Sequence, residues 1–169
     1  EGKPHLTVRY VLTDGSPHLV VETIYQNSTA EAVSDDLSDA IRADRTFTFQ
    51  FDAATHCFFA DDEWFRQAYG VAIDGYEIKG TGQRGTLLQL VKDGTNKLTL
   101  QPGASQTITR KLFPASSLLA ARGTAAEMAG LAAPVTTIRV VDSAPVSQAR
   151  LTLKRDDQPY ATGRTDAHG

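Results

Sequence analysis

The sequence predicts an all-β fold, an antiparallel β-sandwich that includes one short helix. Apolar and polar residues alternate over many short stretches, and this period of two is that of a half-buried strand. Gly, Pro and Asp-Gly turns separate the stretches at short intervals. Many short strands joined by such turns indicate an antiparallel sandwich.

The chain opens with a predicted β-hairpin. Its first strand covers residues 5–12. The alternating apolar residues of that strand are Leu6, Val8, Tyr10 and Leu12. The turn signal Asp14-Gly15 follows, and residues 18–27 (HLVVETIYQN) are predicted to return as the second strand.

Six further strands are predicted before residue 113. They cover residues 46–52, 56–59, 71–78, 86–92, 97–100 and 105–112. Phe47, Phe49 and Phe51 share one face of the first of these strands. Asp-Gly and Pro-Gly turns punctuate the series at residues 74–75, 93–94 and 102–103.

Two segments interrupt the strand pattern. Residues 31–44 (EAVSDDLSDAIRAD) fit either a helix or a long polar connection, and we predict an irregular loop with a helical turn. Residues 114–132 are rich in alanine and predict a helix, which Ser116 or Ser117 would cap. Pro134 then marks a linker.

Strand patterns resume after this linker, at residues 136–141, 146–154 and 160–164. The stretch VVDSAPVSQARLTLKRDDQPYATGRTDAHG resembles the opening of a carboxypeptidase regulatory-like domain, a small transthyretin-like sandwich. In that family a further strand and a Pro-Gly turn follow this pattern. The resemblance therefore implies that residues 133–169 are a partial second domain and that the chain is truncated inside it.

The first part of the chain carries a second resemblance. The hairpin VRYVLTDGSPHLVVETIYQN and the later segments DEWFRQAYGV, LLQL, LTLQPG and RKLFP are similar to a galactose-mutarotase-like supersandwich domain, which would cover residues 1–132. A supersandwich followed by a regulatory-like sandwich resembles the N-terminal region of secreted PHP-type metal-dependent hydrolases. That likeness implies an exported protein, periplasmic or extracellular, whose catalytic domain follows downstream.

The composition argues against several classes of function. A formal net charge of -3, with Lys and Arg scattered along the chain, gives no support to nucleic-acid binding. No apolar run approaches the roughly 20 residues of a membrane-spanning helix. The single cysteine, Cys57, excludes an internal disulfide and a multi-cysteine metal site, and its apolar neighbours predict that it is buried.

No catalytic residue, metal site or cofactor is predicted. The four histidines show none of the spacings that place two imidazoles on one metal, and there is no Gly-x-Ser-x-Gly elbow. The alternative interpretation is an aldose epimerase, which needs a His acid and a Glu base at one sugar. His56 would have to act with Glu22, Glu63 or Glu77, and no spacing selects one of these pairs.

The candidate ligand site is the aromatic and acidic stretch at residues 58–76 (FFADDEWFRQAYGVAIDGY). Aromatic faces flanked by carboxylate and guanidinium groups are how β-sandwich modules bind carbohydrate. The predicted ligand-binding residues are Asp61, Asp62, Trp64, Arg66, Tyr69 and Tyr76. The alternative is that Trp64 and Phe65 anchor a loop onto the sandwich.

These observations predict a non-catalytic accessory or scaffold region of a larger exported hydrolase, which binds carbohydrate or another partner. The expected partners are a carbohydrate and the catalytic domain further along the same chain. A His and a Glu that converge on a concave face of the sheet would instead favour the epimerase.

Overall fold

The computed structural model describes residues 2–40, 47–62, 64–81, 87–132 and 136–169. These residues form fifteen β-strands and one α-helix, and every strand pair among them is antiparallel. The prediction of an all-β, sandwich-like fold with a short helix is confirmed.

The elements follow one another in chain order. They are β1 (His5–Val11), β2 (Leu19–Gln26), β3 (Val33–Asp36), β4 (Ser38–Ala40), β5 (Thr48–Asp52), β6 (Cys57–Asp62), β7 (Gln67–Ala72), β8 (Glu77–Thr81), β9 (Leu87–Val91), β10 (Lys97–Leu100), β11 (Ser105–Ala115), α1 (Leu118–Met128), β12 (Val141–Asp142), β13 (Ala144–Pro145), β14 (Arg150–Arg155) and β15 (Gln158–Arg164).

The largest sheet has six strands, in the order β1-β2-β11-β7-β6-β5. Two smaller sheets, β4-β9-β8 and β10-β3, share an apolar core with one face of it. Phe58 of β6 and Ile108 of β11 belong to this core, and β9 supplies Leu88 and Leu90. All four side chains are buried. The alternation of side chains along each strand therefore produces the two packed layers of the sandwich.

The helix α1 covers the opposite face of the six-stranded sheet. Ser117 caps it, because its hydroxyl oxygen accepts a hydrogen bond from the amide of Ala120 (3.2 Å), which confirms one of the two predicted caps. Leu118 and Ala121 of the helix are buried in one cluster with Phe113 of β11. Among the described residues, no helix has the length and apolar character needed to cross a membrane.

The C-terminal hairpin β14-β15 packs beside this helix. Arg122 donates a hydrogen bond from Nε to the carbonyl of Tyr160 (2.8 Å), and the Thr162 hydroxyl donates to Oδ2 of Asp61 (3.1 Å). These bonds join the last strand both to α1 and to β6. The division of the chain into domains at residues 1–132 and 133–169 stays a prediction.

Residues 31–40 are not the predicted irregular loop. Residues 33–36 form β3 and residues 38–40 form β4, and these strands pair with β10 and β9. Val33 and Leu37 are the buried apolar residues of this segment, and they enter the core. The acidic composition does not prevent strand formation, because most of the polar side chains remain at least partly exposed to water while the backbone pairs with neighbouring strands. The rest of the predicted loop, residues 41–44, lies outside the described residues.

Three other predicted strands also differ. Of the predicted strand at residues 146–154, only residues 150–154 lie in β14. The turn at Asp74-Gly75 divides the predicted strand at residues 71–78 into the ends of β7 and β8, and Gly75 has a φ of +80° there. Of the predicted strand at residues 136–141, only Val141 belongs to a strand. The β-branched residues in this segment favour an extended chain, but they form a ladder only where a neighbouring strand pairs with them.

Candidate functional site

A tight turn between β6 and β7 carries the centre of the predicted ligand site. The buried carboxylate of Asp62 holds this turn, since its Oδ1 accepts hydrogen bonds from the amides of Trp64 (3.0 Å) and Phe65 (3.2 Å). The turn leaves both aromatic side chains in solvent, with Trp64 82% exposed and Phe65 57% exposed. The Asp62 carboxylate thus builds the turn, and the two aromatic rings on it are open to a ligand.

Strand alternation separates the other predicted residues onto two faces of the sheet. Asp61 follows Phe59 by two positions on β6, so its side chain is on the same face of the strand, which the helix covers. Tyr69 pairs with Ala60 on the core face, where its ring meets Phe58 edge-on at 6.0 Å. Burial raises the pKa of the Tyr69 hydroxyl. Tyr76 is buried in the same core. The two tyrosines therefore lie away from Asp61.

Asp61 and Arg66 line a cleft of about 310 Å³ on the helix side of the sheet. The other walls are the N-terminal end of α1 and the end of the β14-β15 hairpin. The charged and hydroxyl side chains that line the cleft come from β6 and the turn after it, from the residues just before α1, and from the end of β15 and the residues after it: Asp61, Arg66, Ser116, Ser117, Thr162, Arg164, Thr165 and Asp166. The cleft therefore offers hydrogen-bond donors and acceptors of both charges to one bound molecule.

Local hydrogen bonds fix the walls of the cleft. The Thr162 hydroxyl bonds to the Asp61 carboxylate, and Arg164 donates from Nη1 to the carbonyl of Gln148 (3.0 Å). Ser117 is fixed by its capping bond. Within the described chain, no hydrogen bond or ion pair holds the Arg66 guanidinium, which extends from a residue with a φ of +54°. Arg66 is thus the charged side chain best able to adjust to a ligand.

The exposure of Trp64 predicts the result of its removal. We expect Trp64→Ala to leave the free energy of unfolding within about 0.5 kcal/mol of wild type, because the ring has little contact surface to lose. Urea unfolding followed by circular dichroism measures this difference. A loss of about 3–5 kcal/mol, the usual cost of truncating a buried tryptophan, would instead identify Trp64 as a loop anchor.

The histidine considered for an epimerase has a structural partner. The His56 ring bonds through Nδ1 to the carbonyl of Tyr76 (2.8 Å). The cavity beside it is lined by Thr55, Asp74 and Met128 and, among the described residues, by no glutamate. Glu22 and Glu77 each form an ion pair with a basic residue of the same sheet, and Glu63 lies outside the described residues.

Cys57 is confirmed as a buried residue. It is packed between the helix and the sheet, and burial raises the pKa of its thiol to about 11. The thiolate is the reactive form of cysteine, so this side chain is inert near neutral pH. Cys57 therefore acts as a small core residue.

The far wall of the cleft was not among the predicted ligand-binding residues. Ser116 and Ser117 are recognisable as helix caps, and Arg164 and Asp166 fall in the motif TGRTDAHG. None of these features indicates that the motif contacts β6, because Thr162 and Asp61, which form a hydrogen bond, are separated by 101 positions in the sequence. The only local signal was the polar character of both segments.

Comparison with known proteins identifies a shared fold. No protein-family model matches the chain, and no curated protein matches it. Among solved structures, a polysaccharide lyase is similar over 75% of this chain, with a TM-score of 0.51 and 18% sequence identity. The matched region is 22% of the lyase chain, so this chain spans about a fifth of that protein's length. This protein thus has a β-sandwich-like fold that it shares with part of a polysaccharide lyase.

Proposed function

We propose that the chain is a non-catalytic accessory module of a carbohydrate-active enzyme and that its cleft binds a saccharide. The observation that carries this proposal is the presence of Arg66 and Asp61 in one cleft, with the exposed ring of Trp64 on the same turn as Arg66. Sugar hydroxyls donate to carboxylates and accept from guanidinium groups, while sugar C–H faces stack on aromatic rings.

The fold likeness to part of a polysaccharide lyase supports this carbohydrate setting. The proposal includes a finer assignment: a galactose-mutarotase-like domain at residues 1–132 and the start of a carboxypeptidase regulatory-like domain at residues 133–169. It also includes an exported hydrolase whose catalytic domain follows in the same chain. In that arrangement the module orients the catalytic domain or keeps the glycan close to it.

No observation on the described residues favours an aldose epimerase, since the cavity beside His56 contains no glutamate among them. An epimerase requires an acid and a base on one sugar. Polarimetry of aldose mutarotation distinguishes the two functions, because only an epimerase raises the rate above that of buffer.

Titration with neutral and uronic-acid oligosaccharides tests the proposed binding. We expect a change in the fluorescence of Trp64, the only tryptophan of the chain. We also expect Arg66→Ala to weaken binding about tenfold or more, because a hydrogen bond to a charged group contributes about 1.5–3 kcal/mol. Isothermal titration calorimetry gives the Kd for the wild type and the variant.

Arg139→Ala is the matched control for this experiment. Arg139 is also exposed, and it does not line the cleft. We expect this variant to keep the wild-type Kd. The proposal is contradicted if none of the oligosaccharides binds at millimolar concentration, or if the two arginine variants lose affinity equally.

A further inference from the structure

Strand β1 forms one edge of the six-stranded sheet and is open along its outer side. It pairs with β2 on its inner side, and the sheet order places no described strand beyond it. All seven of its residues are exposed. The outer side therefore presents a row of backbone N–H and C=O groups that a further strand could bind.

The edge lacks the features by which proteins usually prevent strand addition. The register of β1 with β2 is continuous from His5 to Val11, so no bulge twists the edge away, and the strand contains no proline. Arg9 is its only Lys, Arg, Asp or Glu residue. The Nε of Arg9 donates to Oε2 of Glu22 on β2 (2.6 Å), so this charge is balanced within the same chain. The edge thus carries no net repulsive charge.

We propose that two copies of this chain pair through their β1 strands, antiparallel and about a two-fold axis at Val8. In this register Val8 lies opposite Val8 of the second copy, Leu6 lies opposite Tyr10, and Thr7 lies opposite Arg9. The interface is isologous, as expected for a two-fold dimer. It joins the two six-stranded sheets into one continuous sheet.

The pattern of side chains in β1 selects a second copy as the occupant. The strand is self-complementary, because the apolar residues Leu6, Val8 and Tyr10 are spaced symmetrically about its centre. Facing apolar side chains stabilise such a pair, and the Leu6, Val8 and Tyr10 side chains are each about half or more exposed in the single chain. Each would gain a cross-strand apolar neighbour.

The number of paired residues favours the register at Val8 over its neighbours. With a two-fold axis perpendicular to the sheet, two residues that face each other must have their side chains on the same face of the sheet. Each residue therefore faces either the same residue of the second copy or a residue whose number differs by an even amount. The axis at Val8 pairs all seven residues of the strand. An axis at Arg9 would leave His5 and Leu6 without partners in the strand, and an axis at Thr7 would leave Tyr10 and Val11 without partners.

Cysteine cross-linking tests this register. We expect Val8→Cys to form a covalent dimer under mild oxidation, because its Cα atoms would lie about 4.5–5.5 Å apart, within the range of a disulfide. Tyr10→Cys is the matched control on the same face, and its two Cα atoms would be about 14 Å apart along the strands. The native thiol, Cys57, is buried. We expect non-reducing electrophoresis to show the dimer for Val8→Cys alone.

Sedimentation equilibrium tests the association without a new cysteine. We expect the wild type to reach twice the mass of the 18.2 kDa chain as its concentration rises, and Val8→Lys to remain at the single mass. Leu12→Lys, which adds the same charge beyond the end of β1, should keep the dimer. Circular dichroism confirms that both variants fold. A wild type that stays monomeric, equal cross-linking of both cysteine variants, or a dimer lost in Leu12→Lys and kept in Val8→Lys would each overturn the proposal.

Discussion

Replacement of Arg122 by alanine is expected to lower the free energy of unfolding by about 3–5 kcal/mol, the usual cost of leaving a buried charge unpaired. The Arg122 side chain is 9% exposed. Its guanidinium donates to Oδ2 of Asp52 (2.8 Å), to Oε1 of Gln50 (2.6 Å) and to the carbonyl of Tyr160 (2.8 Å). It also stacks on the Tyr160 ring, with 3.9 Å between Cζ and the ring centroid. One side chain thus connects α1, β5 and β15.

Arg155→Ala is the matched control for Arg122→Ala. Arg155 also stacks on the Tyr160 ring (4.2 Å), but it is exposed. An exposed contact of this kind contributes about 0.5–1 kcal/mol, so we expect a correspondingly small loss. Urea unfolding measures both variants. Similar losses in the two variants would show that the buried bonds of Arg122 contribute little.

The same variant tests how the C-terminal hairpin depends on the rest of the fold. With Arg122 removed, the hairpin β14-β15 keeps the backbone pairing between its two strands. It loses the hydrogen bond from Arg122 to the Tyr160 carbonyl and the stacking of Arg122 on the Tyr160 ring. We therefore expect the variant to exchange hydrogen faster than the wild type at the amides of β14 and β15, with a smaller increase at those of β6. A hairpin that exchanges at the wild-type rate would be a unit that folds without α1, as the predicted domain boundary at residue 132 implies.

The sequence predicted the parts of the fold that local patterns determine. The opening hairpin follows from alternation on both sides of Asp14-Gly15, and Gly15 has the positive φ, +73°, that such turns require. Strand β10 has the predicted bounds. Each of these elements is specified by neighbouring residues, so a single sequence is sufficient to find it.

The predictions are wrong where the structure depends on pairing between strands that are far apart in the sequence. Residues 33–40 become strands because β9 and β10 lie beside them, about fifty positions or more further along the chain. Distant pairing also decides which of the predicted site residues come together. Tyr69 and Asp61 are near one another in sequence, yet the register of β6 with β7 assigns them to opposite faces. The cleft that receives Asp61 is completed by residues about a hundred positions away.

Phe113→Ala is expected to lower the free energy of unfolding by about 3–5 kcal/mol, the usual loss for a buried phenylalanine. Phe113 has no exposed surface, and its ring lies over the backbone of Gly70 on the adjacent strand β7. A Cβ at position 70 would lie 2.2 Å from Cζ of Phe113. Gly70→Ala should therefore cost about 1–3 kcal/mol, because a buried ring cannot move aside without strain.

A double-mutant cycle separates this steric clash from other effects of the added methyl group. In the Phe113→Ala background the space opposite position 70 is empty, so Gly70→Ala should then cost almost nothing or be stabilising. The expected coupling is about 1–3 kcal/mol, within the range for residues in contact. Additive losses in urea unfolding of the two single variants and the double variant would show that the Phe113 ring is not what requires glycine.

Gly80→Ala is the matched control for Gly70→Ala. The same addition at Gly80 would bring a Cβ to 2.3 Å from Cζ of Phe51, so the static clash is nearly equal. Phe51, however, is 37% exposed and can rotate its ring towards solvent. We therefore expect Gly80→Ala to stay within about 0.5 kcal/mol of wild type. Burial of the opposing ring, rather than the distance itself, then determines the cost of a side chain at each glycine.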